Sequence, residues 1–262
     1  MATGRSSSRE RCGITSTSLP DWTSVLAVVA HPDDESFGLG AVLSAFVARG
    51  ATVSVLCFTR GEASTLHGVD GNLATIRAEE LAAAARELGI TNVHLTSYPD
   101  GGLAGVNATV LRRDIEEIAD LVGATGIVVF DPDGVTGHPD HQRATHVAID
   151  VATRRGIGVL GWTIPTHVAM TLSQEFGASL TGHDPEEIDL VIDVDRTAQN
   201  RAVACHPSQA IPGSVLWRRL ELLRNHEHLR WLLNSAAGVT ATTAPTTAPG
   251  RSPGHDNEGK AP

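Results

Sequence analysis

The sequence has few cysteines, few aromatic residues and a deficit of positive charge, and these shortages exclude several classes of protein. Its three cysteines lie far apart without a C-x-x-C pair, which argues against a disulfide scaffold and a thiolate zinc site. A formal net charge of −10 argues against a general binder of nucleic acid or membrane surfaces, which would need a basic face. No apolar run approaches the ~20 residues of a membrane span, and the first residues lack a signal peptide's apolar segment. These absences favour a soluble cytoplasmic protein.

The two ends of the chain differ in composition from its middle. Residues 1–21 are rich in Ser, Arg, Thr and Gly, which predicts a flexible leader. Residues 234–262 are rich in Ala, Thr, Pro and Gly and carry little that could be buried, which predicts a disordered tail. Residues 22–233 are therefore predicted to form one domain.

Within that domain, short apolar runs alternate with helical segments. Strands are predicted at 24–30, 52–58, 93–96 and 127–130, and helices at 36–49, 74–89, 107–122 and 140–155. The less regular part after Gly156 predicts strands near 166–172 and 188–194 and helices near 196–205 and 214–233. Repeated βα units of this length predict a Rossmann-like α/β fold, a mostly parallel sheet with helices on both faces.

The first chemically informative segment, AHPDDE (residues 30–35), follows the first strand directly. Loops at the carboxyl ends of parallel strands form the functional crevice of such folds. His31 and Asp34 offer an imidazole nitrogen and a carboxylate oxygen, both of which ligate zinc. We therefore expect this loop to carry chemistry.

The second segment, GHPDH (residues 137–141), lies in the loop after the fourth strand. If that strand lies beside the first, the two loops face each other, and three ligands from them would leave an open position on a catalytic zinc. One Pro-Asp loop would be ordinary turn chemistry, and most of the twelve histidines need no functional explanation. Two such loops at the ends of buried strands are harder to explain as turns.

At these two motifs the sequence resembles the PIG-L/LmbE-like family of zinc-dependent N-deacetylases. The resemblance covers roughly residues 22–235, and further matches are TRGE (59–62), RAEELAAAARELG (77–89), YPD (98–100) and HPSQ (206–209). It implies a hydrolase that removes an N-acetyl or other N-acyl group from a small-molecule amino sugar or its conjugate. It implies one zinc ion per chain, although another divalent metal such as Fe²⁺ would suit the same nitrogen and oxygen ligands.

The resemblance also implies roles for individual residues. The metal ligands would be His31, Asp34 and His141. Asp33 would be the general base acting on metal-activated water, and a charged His138, oriented by Asp140, would stabilise the tetrahedral intermediate or protonate the leaving amine. The sugar contacts would be Arg77 and Asp100, although a helix-surface ion pair for Arg77 and a plain turn role for Asp100 stay open.

Three alternatives remain at this point. A zinc amidase cleaving a larger amide, such as a mycothiol S-conjugate, would use the same catalytic residues. A non-catalytic sugar-binding member of the fold would be expected to lose Asp33 or His138, and both are present. A nucleotide-binding Rossmann protein is disfavoured because FGLG (37–40) lacks the third glycine at the required spacing. Some family members carry a tyrosine just before the second motif, where this chain has Val135-Thr136-Gly137.

Overall fold

The computed structural model describes residues 16–66, 71–132 and 134–234, and these form a seven-stranded sheet. The strands are β1 Ser24–Val29, β2 Thr52–Thr59, β3 Asn92–Tyr98, β4 Gly126–Phe130, β5 Gly158–Thr163, β6 Leu190–Asp193 and β7 His226–Leu233. Their order in the sheet is β3-β2-β1-β4-β5-β7-β6. Strands β1 to β5 pair in parallel, and β7 pairs antiparallel with both β5 and β6. The predicted fold class is confirmed.

Helices connect the strands, and two of the longer ones begin or end at residues suited to those positions. The helices are α1 Asp34–Phe37, α2 Gly40–Ala48, α3 Leu73–Leu88, α4 Ala108–Val122, α5 Gly134–Gly137, α6 Pro139–Arg155, α7 Thr166–Phe176, α8 Thr197–Ala204 and α9 Val215–Leu223. The Asn72 side chain accepts a hydrogen bond from Thr75 N at the start of α3, and Gly89 ends that helix in the left-handed conformation. Helix α6 carries Pro139 at its first position, where no backbone N–H is needed.

Both faces of the sheet are covered. Alternate residues of β1 belong to different clusters: Val25, Ala27 and Val29 pack with α2 and α3, whereas Leu26 and Val28 pack with α4 and α6. All six residues of β1 are buried, as expected of a central parallel strand between two helical layers. The side chains of β1 therefore all pack in the core, and residues that can take part in chemistry come only after the end of the strand.

The region after Gly156 differs from the prediction. Residues 166–172 belong to a helix, with Val168, Ala169 and Leu172 buried on one side, rather than to a strand. The predicted helix 214–233 is divided into α9 and the strand β7. Strand β7 exists because it pairs with both β5 and β6, and such long-range pairing is not encoded in local helix propensity.

The predicted leader is packed where the structure describes it. Ser16 N donates to Asp189 O at 2.8 Å, Val191 N donates to Ser16 O at 3.0 Å, and Leu19 is buried. Residues 16–21 therefore contact the sheet edge beside β6. The remainder of the predicted leader, 1–15, and the tail from residue 235 onward lie outside the described residues. Across the described ranges, no helix is long and apolar enough to cross a membrane.

Candidate metal centre and active site

The two motif loops meet at one edge of the sheet. Strands β1 and β4 are neighbouring parallel strands, so the segments that follow them emerge side by side. His31 Nδ1 lies 3.2 Å from His141 Nε2, and Asp34 Oδ1 lies 3.1 Å from the same nitrogen. The structure therefore brings together the three side chains that the resemblance assigns to a metal.

The spacing of these atoms suits a divalent metal ion. His141 Nε2 is thus 3.2 Å from His31 Nδ1 and 3.1 Å from Asp34 Oδ1, while His31 Nδ1 lies 3.7 Å from the second oxygen of Asp34, Oδ2. Ligands about 2.1 Å from a tetrahedral zinc lie about 3.4 Å from one another. Asp34 Oδ2 is held by the N–H groups of Ala30, at 3.1 Å, and His31, at 2.9 Å, which leaves Oδ1 beside the histidines. The donor set fits a three-ligand site.

The other nitrogen of His31 faces two carboxylates. Its Nε2 is 3.1 Å from Asp100 Oδ1 and 3.5 Å from Asp140 Oδ2. Carboxylates at these distances favour a proton on Nε2, which would leave Nδ1 as the ligand atom. Although burial lowers the pKa of His31, Asp100 and Asp140 raise it to about 10. A metal ion bound at Nδ1 would instead require the neutral form of His31, because only the neutral ring coordinates metal.

Asp140 and Asp100 thus have contacts that the resemblance did not imply. The fully buried carboxylate of Asp140 accepts hydrogen bonds from Gly101 N, at 2.8 Å, and Leu103 N, at 3.0 Å. Asp100 accepts one from Ala63 N at 2.8 Å and also lines the cavity described below. Ligand atoms of His31, His138 and His141 lie within 4.8 Å of one another, as do those of His31, Asp100 and Asp140. We favour His31, Asp34 and His141, because both oxygens of Asp140 are occupied by backbone donors and Asp34 Oδ1 lies 3.1 Å from His141 Nε2.

Asp33 lies at the start of α1 with its carboxylate held by Arg77. Its φ of 126° is a conformation that residues other than glycine rarely adopt. Asp33 Oδ2 is 3.0 Å from Arg77 Nη2, and the buried Arg77 also donates to Gly61 O, at 2.7 Å, and to Pro32 O. Burial and the neighbouring Asp34 raise the pKa of Asp33 to about 6, although Arg77 acts in the opposite direction.

His138 is the N-terminal cap of α6. Its Nδ1 accepts a hydrogen bond from Asp140 N at 3.2 Å, and its ring centroid lies 4.8 Å from that of His31. Burial, together with His31 and His141, lowers the pKa of His138. Because Nδ1 is an acceptor, the neutral ring carries its proton on Nε2. In the free protein the neutral ring thus offers a hydrogen-bond donor at Nε2, and the charged His138 that the resemblance implied stays a prediction.

A buried network behind Asp33 was not assigned a function from the sequence. Glu35 and His206 are fully buried, with Glu35 Oε1 2.8 Å from His206 Nε2. Glu35 Oε1 also accepts from Ser36 Oγ at 2.6 Å, and Glu35 Oε2 accepts from Asp33 N at 2.9 Å. Glu80 binds the N–H and hydroxyl of Ser208 at 2.9 and 2.6 Å. The AHPDDE and HPSQ segments carried the only sequence signal for this network.

A cavity of about 560 Å³ opens onto the site, a size common for small-molecule sites. The motif residues that line it are His31, Asp33, Asp34, His138 and His141. Its other lining residues include Phe37, Gly38, Leu66, Arg77, Asp100, Phe130, Val215, Leu216 and Arg219. The predicted metal ligands, Asp33 and His138 therefore face one space large enough for a substrate, whereas the buried Asp140 does not line it.

Comparison with known proteins agrees with this geometry. Residues 26–153 match the family model PIG-L, described as GlcNAc-PI de-N-acetylase. A 1D-myo-inositol 2-acetamido-2-deoxy-alpha-D-glucopyranoside deacetylase of Mycolicibacterium vanbaalenii is 31% identical over 228 positions, covering 71% of this chain and 80% of that protein. The enzyme of the same name from Streptomyces scabiei is 34% identical over 157 positions, covering 49% of this chain and 47% of that protein. The chain thus matches about half the length of the second relative.

A solved structure supports the fold. The N,N'-diacetylchitobiose deacetylase from Pyrococcus horikoshii superposes with a TM-score of 0.61 at 22% sequence identity, covering 85% of this chain and 88% of that one. The relative from Mycolicibacterium vanbaalenii is aligned over 80% of its length, and this match establishes the family of the chain. The chain belongs to the PIG-L/LmbE-like deacetylase family, as its two motifs predicted.

Proposed function

We propose that this protein is a metal-dependent hydrolase that removes an acetyl or other acyl group from the nitrogen of an amino sugar or its conjugate. The observation that carries the proposal is the convergence of His31, Asp34 and His141 beside Asp33 in one cavity. The named relatives support the substrate class, because they are deacetylases of an acetamido sugar joined to inositol.

The metal would be held by His31 Nδ1, His141 Nε2 and Asp34 Oδ1. A zinc or iron(II) ion there would polarise the amide carbonyl and lower the pKa of bound water from 15.7 to about 7. Asp100 and Asp140 would keep the proton of His31 on Nε2, and the N–H groups of Ala30 and His31 would fix Asp34.

Asp33 would act as the general base. Its carboxylate faces the cavity and is anchored by Arg77, so it is positioned without being a ligand. A general base works best when its pKa is near the working pH, and burial raises the pKa of Asp33 to about 6. After accepting the proton of the attacking water, Asp33 could return it to the departing amine nitrogen.

His138 would stabilise the oxygen that gains negative charge. With Nδ1 occupied by Asp140 N, the Nε2–H of the neutral ring is the group available to donate. Such a donor stabilises the transition state when it is aimed at the developing oxyanion. The predicted sugar contacts are Arg77 and Asp100. Each already binds a site residue, so only the part of each side chain that faces the cavity would contact substrate.

The test is release of free amine from a panel of N-acetylated amino sugars, with and without a chelator. Chelator-sensitive release that is restored by zinc or iron(II) and lost in Asp33→Asn supports the proposal. Release of amine only from larger amides, such as a mycothiol S-conjugate, would show that the protein is an amidase rather than a deacetylase. Sugar binding by the metal-loaded protein without turnover of any amide would leave only a binding role, and would overturn the proposal.

A further inference from the structure

One cation of the cavity has no carboxylate partner. Of the two arginines that line it, Arg77 is paired with Asp33 at 3.0 Å. Arg219, on helix α9, forms no salt bridge with a carboxylate of the described residues. Its only hydrogen bond there runs from Nη2 to the carbonyl oxygen of Phe37, and its buried Nε has no partner among these residues.

Glu227 is the carboxylate that acts electrostatically on Arg219, but it is hydrogen-bonded to other residues. Glu227 raises the pKa of Arg219, but Glu227 Oε2 accepts from Trp162 Nε1 at 2.7 Å and Glu227 Oε1 binds Arg196 Nη1 at 2.5 Å. Burial lowers the pKa of Arg219 to about 10, which leaves the guanidinium charged at neutral pH. The cavity therefore contains a partly desolvated positive charge that no described side chain neutralises.

The position of Arg219 is fixed by two contacts beside the cavity. Its guanidinium carbon lies 4.9 Å from the centroid of the Trp162 ring. Stacking on an aromatic face holds the plane of a guanidinium and leaves the N–H groups at its edge free to donate. Phe37, whose carbonyl anchors Nη2, is three residues after Asp34 and lines the same cavity.

The rest of the cavity gives this charge a chemical context. Leu66, Val215 and Leu216 are apolar lining residues, with Leu66 57% exposed and Val215 36% exposed. An apolar wall beside a guanidinium that has no carboxylate partner among the described residues suits a ligand that carries a compact oxyanion on an otherwise weakly polar extension. Arginine matches carboxylate and phosphate through paired N–H donors.

We propose that Arg219 forms a subsite for an anionic group, a carboxylate or a phosphate, carried by the substrate away from the amide that is cleaved. The proposal rests on the proposed function, because it deepens the description of that substrate. The anion is attached either to the sugar or to the acyl group, and the two attachments are separated by the choice of substrates.

The experiment compares matched neutral and anionic substrates. For the sugar arm these are N-acetylglucosamine and its 6-phosphate; for the acyl arm they are N-pentanoylglucosamine and N-succinylglucosamine. We expect the metal-loaded protein to prefer the anionic member of one pair in kcat/KM. Arg219→Gln should lower that preference by about 10-fold to 100-fold, the usual effect of losing a hydrogen bond to a charged group. Arg219→Lys should keep part of it. The preference is a ratio within one variant, so it is compared independently of any general loss of turnover.

The matched control is Arg218→Gln on the same helix. Arg218 pairs with Glu175 at 2.8 Å and Glu221 at 3.0 Å and does not line the cavity, so its loss should leave the preference unchanged. Thermal unfolding of each variant checks that it is folded. If the wild-type protein prefers neither anionic substrate, or if Arg219→Gln keeps the preference, the subsite is refuted.

Binding measured by calorimetry keeps the subsite testable independently of turnover. The four compounds are titrated into metal-loaded Asp33→Asn, with and without Arg219→Gln. Tighter binding of an anionic member that depends on Arg219 supports the subsite even if no compound is hydrolysed, in which case the proposed function alone fails. Equal binding of both members of each pair refutes the subsite even if N-acetylglucosamine is deacetylated.

Discussion

Replacing His206 by leucine should destabilise the protein and slow catalysis together. The change leaves the fully buried Glu35 without its partner at 2.8 Å. Breaking a buried ion pair by removing one partner costs about 3–5 kcal/mol. Ser36 Oγ and Asp33 N still donate to Glu35, so we expect the lower end, about 3 kcal/mol. At roughly 2–4 °C per kcal/mol for a domain of this size, Tm should fall by about 6–12 °C.

The same change should affect kcat more than KM. Glu35 Oε2 holds the backbone N–H of Asp33, which adopts a φ of 126° beside the reacting centre. Loosening this contact misplaces the general base, and small misplacements of catalytic groups cost up to about 100-fold in rate. In His206→Leu we therefore expect a kcat loss of about 10-fold to 100-fold.

The assays are thermal unfolding and steady-state kinetics with an exposed pair as the control. His226 pairs with Asp193 at 3.0 Å, with side chains 53% and 91% exposed, so His226→Leu should cost less than about 0.5 kcal/mol. Adding Glu35→Gln to His206→Leu removes the buried charge and should recover part of the lost stability. A Tm for His206→Leu equal to that of His226→Leu would refute the reasoning.

Three further changes test other parts of the account. Asp33→Asn should lower kcat by about 10²- to 10⁴-fold while bound metal, measured by elemental analysis, is unchanged; loss of the metal would contradict the role of Asp33 as base. His138→Ala should lower kcat by about 10²- to 10³-fold in the same assay, and an unchanged kcat would remove it from the transition state. Gly38→Ala places a Cβ 2.4 Å from Phe130 Cζ and should cost about 1–3 kcal/mol in urea unfolding, whereas a neutral result would show that the ring moves freely.

The central part of the fold could be predicted because its signals are local. Buried β-branched runs, each followed by a helix, require a parallel sheet. The order in which strands are added to this sheet reverses between β1 and β4, which places AHPDDE opposite GHPDH. The later elements could not be predicted in the same way. The local sequence pattern of β7 predicts a helix, and the segment becomes a strand only by pairing with β5 and β6.

The site was predicted at the level of which residues meet, and less well at the level of which atoms touch. Asp140 is one residue before His141 in sequence, yet its carboxylate turns to Gly101 N and Leu103 N, because those donors lie in a separate loop. The contact between Glu35 and His206 joins positions 171 residues apart, which no spacing rule reveals. Side-chain direction and long-range pairing therefore depended on the structure.

The metal content of the purified protein, after reconstitution with zinc or iron(II), tests the central claim most directly. The account predicts about one divalent ion per chain. It also predicts that His141→Ala loses most of that ion, whereas His146→Ala, an exposed histidine on the same helix, keeps it. A wild-type protein that binds no metal, or a His141→Ala protein that binds as much as wild type, would contradict the claim that the two motif loops form a metal centre.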